Sequence, residues 1–91
     1  MMERDVIEET VRNIITGELD YKEFTLEPDT RLGTIADSLD MWDICVMIED
    51  EFDIIIWNEV ENRTSAMTFT ELCNIVEEKV RNNHNNYHYG K

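Results

Sequence analysis

The 91-residue sequence predicts an all-α fold: a small four-helix bundle with three main helices, a short third helix and a long first loop. Three observations lead there. Apolar residues recur at helical spacing in three separate windows. Three glycines and one proline leave little of the turn punctuation that a many-stranded fold needs. A chain of this length makes one small domain, burying roughly 60–65% of its extended surface around a single core.

Residues 3–16 place Ile7, Val11, Ile14 and Ile15 at i, i+4, i+7 and i+8, with Glu3, Glu8, Glu9 and Arg12 on other faces. That is an amphipathic helix, and Gly17 lies just past it, where a C-terminal glycine belongs. Residues 18–36 hold no sustained period. Pro28, Asp29, Thr30 and Gly33 punctuate them, yet Leu19, Phe24, Leu26, Leu32 and Ile35 are apolar. A loop of about 19 residues with that content packs over the core and is long enough to suggest function. The second helix runs from Ser38 to Glu51, capped by Asp37 with Asp40 in its first turn. A short helical turn is expected within Ile54 to Asn62, then a connector to Met67. Thr68-Phe69-Thr70-Glu71 is a capping box that opens the last helix, which carries Phe69, Leu72, Cys73, Val76 and Val80 on one stripe. Residues 1–81 form the domain, and 82–91 read as a flexible polar tail. The two tail histidines, His84 and His88, have no acid or cysteine beside them to complete a metal site, so no metal is expected.

Eight basic against 21 acidic residues give a formal net charge of −13. Such a surface repels phosphate backbones and anionic headgroups, which argues against nucleic-acid and membrane-surface partners. It attracts proteins that present basic patches, although acidity also serves solubility alone. The longest apolar run, Ile54-Ile55-Ile56-Trp57, is far too short to cross a bilayer, and no signal peptide is legible. Cys45 and Cys73 fall on apolar helical faces and read as buried thiols in a reducing cytoplasm.

The second helix carries two apolar stripes. Met41, Ile44, Cys45, Ile48 and Phe52 form one; Leu39, Trp42 and Val46 form another, roughly 140° away at helical spacing. A helix at the edge of a small bundle buries only one stripe. The second therefore faces either the preceding loop or a partner. Asp43 and Asp50 flank it on one side and Glu49 on the other, giving the apolar centre and charged rim of a binding patch.

At the mouth of that helix stands Ala36-Asp37-Ser38-Leu39-Asp40. Ser38 has no neighbouring His or Lys in sequence to activate it as a nucleophile. A helix N-terminus instead favours a phosphoester attached there, because its N–H groups are unpaired and its dipole is positive. The segment from Leu32 to Phe52, and the order of elements along almost the whole chain, resembles the acyl carrier protein family. The resemblance implies a 4′-phosphopantetheine arm on Ser38, placed there by a separate phosphopantetheinyl transferase with a magnesium ion to which Asp37 contributes. It also implies that Asp37, Leu39, Asp40, Trp42, Asp43, Val46, Glu49 and Asp50 dock acyl-loading and acyl-processing enzymes through their basic docking patches. The chain would be a monomeric carrier and no enzyme, serving fatty acid or polyketide biosynthesis, and its helices would open to shelter the acyl chain. The sequence departs from the family pattern where Thr34 and Ile35 separate Leu32-Gly33 from the motif, where Trp57 stands in place of a proline, and at Trp42.

Two rival readings use the same residues. An acidic helical inhibitor or immunity-type protein would block a basic enzyme surface without any covalent arm. A calcium module would use Asp20 to Thr30, but that stretch lacks the central glycine and alternating oxygen ligands of an EF-hand loop.

Overall fold

A computed structural model describes the backbone of residues 3–90 and the side chains of residues 3–82. Helix α1 spans Arg4–Glu18, a 3₁₀ turn Leu32–Thr34, α2 Ser38–Phe52, the one-turn α3 Trp57–Val60, and α4 Phe69–Gly90. The fold is an all-α four-helix bundle with a short third helix. Among the described residues the only β pairing is an isolated antiparallel bridge between Arg31 and Thr68.

Each long helix buries one stripe. Ile7, Val11 and Ile15 of α1 are fully buried, as are Met41 and Ile48 of α2 and Leu72, Cys73 and Val76 of α4. Gly17 is a correction to the sequence reading: it lies inside α1, which runs one residue further to Glu18 and is capped at Leu19. The reason is burial. Leu19 stands four residues beyond Ile15, so continuing the helix carries it onto the same core stripe, where it is fully buried. The polar segment 82–90, read as a tail without a helical stripe, continues the backbone of α4 to Gly90. Among the described side chains, Val80 is the last apolar residue of that helix packed against the core.

The long loop packs onto the core through its apolar residues. Leu26, Leu32, Ile35 and Ala36 are buried, and Phe24 packs against the core. Such a loop must still satisfy its backbone groups. The Arg12 guanidinium donates to the Leu26 carbonyl at 2.7 Å while lying over the Phe69 ring, and Lys22 Nζ donates to the Ile35 carbonyl at 2.6 Å. The loop is also sewn to the start of α4: Phe69 N–H donates to Thr30 O, Thr70 N–H to Pro28 O, and Leu32 N–H to Met67 O. Thr68 and Glu71 form the expected capping box, with each side chain accepting from the other's N–H at 3.1 and 2.9 Å.

Candidate functional site at the mouth and outer face of α2

The chain enters α2 through a close approach. A Cβ on Gly33 would lie 2.5 Å from both Cα and the carbonyl oxygen of Ser65, so only glycine lets the 3₁₀ turn pass the 61–67 connector. Four residues later Asp37 caps α2. Its Oδ1 accepts from Asp40 N–H at 2.8 Å, and Asp40 Oδ2 accepts from Asp37 N–H at 3.2 Å. This is a capping box with aspartate in both roles. The Tyr21 hydroxyl adds a third contact, donating to Asp40 Oδ2 at 2.9 Å, and that bond to a carboxylate holds its phenol above the ordinary pKa. Asp40 is therefore half-buried in the loop–helix junction rather than free at the rim.

Ser38, the first residue of α2, is exposed, and its hydroxyl has no partner among the described residues. It stands beside the unpaired N–H groups of the first turn. A hydroxyl so placed is open to reagents from outside, and a phosphate is electrostatically favoured beside a helix N-terminus.

Beyond Ser38 the two stripes separate as their spacing requires. Met41, Ile44, Cys45 and Ile48 are buried, with Phe52 packed at the edge of the core. On the outer face Leu39 is 74% exposed, Trp42 47% and Val46 42%. Trp42 does not lie under the preceding loop. It meets Trp57 of α3 edge to face, with ring centroids 5.0 Å apart. Asp37, Asp43 and Asp50 are exposed beside this face. Glu49 is placed differently from its expected role: its Oε2 accepts from the N–H groups of Ile56 and Trp57 at 2.8 and 3.0 Å. That carboxylate ties the end of α2 to the start of α3 and holds Trp57 against Trp42.

Three residues join this surface that the sequence reading left out of it. Ile55 is 64% exposed between two buried isoleucines, Ile54 and Ile56, and Met47 is exposed on α2. With Val46 and Ile54 they line an open groove of about 360 Å³ bordered by Asp50 and Asp53. Trp57 is the third. The available signal was the run Ile54-Ile55-Ile56, because three consecutive large residues in a connection between two helices cannot all point into one core.

Cys45 and Cys73 are free and buried, and burial pushes both thiols up to about 12. Among the described residues no three or more His, Cys, Asp or Glu side chains gather as a metal site, and no helix is long and apolar enough to cross a membrane. The side chains of His84 and His88 lie outside the described residues. Compared with known protein families, curated proteins and solved structures, the chain matches none.

Proposed function

We propose that this protein is an acyl carrier whose Ser38 bears a 4′-phosphopantetheine arm. The observation that carries the reading is the setting of Ser38. It is an exposed serine, hydroxyl unpartnered, at the first residue of a firmly capped helix within Asp37-Ser38-Leu39-Asp40. The residue pattern supplies the likeness to acyl carrier proteins, and the cap supplies a rigid, accessible hydroxyl. Once attached, the arm supplies a terminal thiol that holds an acyl group as a thioester.

The roles of the chain's own residues follow. Asp37 and Asp40 fix the first turn so that Ser38 Oγ stays outside it. Ser38 Oγ forms the new phosphoester bond as the pyrophosphate bond of coenzyme A breaks and the adenosine bisphosphate half leaves. Its proton passes to a base of the transferase, since no base of this chain is hydrogen-bonded to the hydroxyl. Leu39, Trp42 and Val46, with Asp43 and Asp50 beside them, form the face offered to partner enzymes with basic docking patches. Residues 32–62 contain nine carboxylates and no Lys, Arg or His, so this side of the molecule steers cationic surfaces toward Ser38. Tethering then raises the effective concentration of the acyl group at each partner. Two free thiols accord with a reducing cytoplasm.

The experiment is intact mass after incubation with coenzyme A and a broad-specificity phosphopantetheinyl transferase. The wild-type chain gains one phosphopantetheine; Ser38→Ala folds and gains none. A wild-type chain that stays unmodified removes the reading and favours the acidic-inhibitor alternative. Modification that persists in Ser38→Ala moves the site elsewhere.

A further inference from the structure

Resting on that reading, we infer that the carrier holds a neutral aliphatic acyl group on the outside of the bundle, along the exposed row of α2 and in the groove between Val46, Met47, Ile54 and Ile55. The row begins at the attachment point. Ser38, Trp42 and Val46 stand at i, i+4 and i+8, so they succeed one another along one strip of helix surface, with Leu39 beside them. Val46 belongs to both the row and the groove, which makes the apolar surface continuous from one to the other.

The lengths agree. Val46 lies eight residues past Ser38, about 12 Å at 1.5 Å per residue. About thirteen bonds separate the phosphorus of the arm from its sulfur, and an extended peptide-like chain advances about 1.2 Å per bond, for a reach of about 15 Å. Laid along the row, the arm ends beside Val46 and Met47, and what is attached to it enters the groove.

Chemistry selects the cargo. Glu49, Asp50 and Asp53 line the groove beside its four apolar side chains, so a cargo ending in a carboxylate is repelled and a neutral aliphatic chain is not. Leu39, Val46 and Ile55 are exposed in the free protein, and a hydrocarbon chain laid over them removes apolar surface from water on both sides. The interior is the less favourable host. Ile7, Met41, Ile48 and Leu72 are completely buried against one another, and parting them means overpacking or opening a closed core. A second groove of about 460 Å³ lies between α1 and α2, where it shares Met47 but lies off the row of Ser38, Trp42 and Val46.

The test uses the chain's two tryptophans, Trp42 and Trp57, both of which stand on this surface. The transferase loads either acetyl- or octanoyl-phosphopantetheine from the corresponding coenzyme A thioester, and intact mass establishes loading before any spectrum is recorded. The octanoyl form shows a blue-shifted tryptophan emission and a lower acrylamide quenching constant than the acetyl form. Ile55→Asp, a change at an exposed groove position outside the face offered to partner enzymes, still loads but loses that difference. Loading with equal spectra for the two acyl forms, or NMR shifts confined to the core methyl groups of Ile7, Ile48 and Leu72, overturns the inference while leaving Ser38 as the attachment site. Failure to load at all removes the carrier reading and this inference together.

Discussion

Single side chains hold this structure's least conspicuous chemistry. Burial penalises the thiolate and pushes the Cys45 and Cys73 thiols up to about 12 in the folded chain, against an ordinary value of 9.0. The sign follows from linkage. A neutral buried thiol contributes its full stabilisation below the unfolded value and loses it as pH rises toward the folded one. Urea unfolding is therefore expected to show falling stability above about pH 9, and the slope is expected to flatten in the Cys45→Ala, Cys73→Ala double variant. Equal slopes for the two proteins would assign the loss to other groups. Native thiols are also expected to resist a thiol-specific reagent until urea unfolds the chain.

The elements are positioned by two residues that no hydropathy pattern marks. Glu49 accepts two backbone N–H groups from the start of α3, and bonds to a charged acceptor contribute about 1.5–3 kcal/mol. Glu49→Ala is expected to destabilise the fold by about that amount in urea unfolding, whereas Asp50→Ala, at an exposed position one residue on, stays within about 0.5 kcal/mol. Gly33 is the second. An added methyl at 2.5 Å from the Ser65 backbone forces one strand of the loop to shift, and Gly33→Ala is expected to cost about 1–3 kcal/mol. Because Gly33 lies five residues ahead of Ser38, the same variant is expected to slow phosphopantetheine transfer. A stable, normally loaded Gly33→Ala protein would show that the connector yields without cost.

Charge governs the molecule as a whole. The described cations serve mainly α1, the loop and α4: Arg4 pairs with Glu8 and Glu77, Arg81 with Glu77, and Lys79 with Glu59, while Arg12 and Lys22 hold loop carbonyls. On the α2 side the nine carboxylates of residues 32–62 have no cation within their own segment. They repel one another within a Debye length of about 10 Å at 0.1 M salt, and unfolding spreads them apart. Added sodium chloride is therefore expected to raise the Tm while weakening association with a basic partner, so stability and affinity move in opposite directions along a salt series. A Tm that falls with salt would mean that ion pairing outweighs repulsion.

The sequence alone determined the main helices and the opening of α2 at Ser38. The spacing of Ile7, Val11 and Ile15, the two stripes of α2, and the Thr68–Glu71 box are local patterns, and local patterns survive folding when one face must be buried. Asp37 as cap and Ser38 as an exposed first residue were legible for the same reason. Only the tertiary structure decided the rest. Gly17 looked like a helix stop, but burial of Leu19 carried α1 past it. Glu49 looked like a rim charge, but Ile56 and Trp57, seven and eight residues away, needed an acceptor for their N–H groups. Trp42 faced either the loop or a partner until α3 brought Trp57 to its side. For Glu49 and Trp42 the deciding contact joins residues of different elements, and a periodicity read along one helix holds no information about what another element brings to its face.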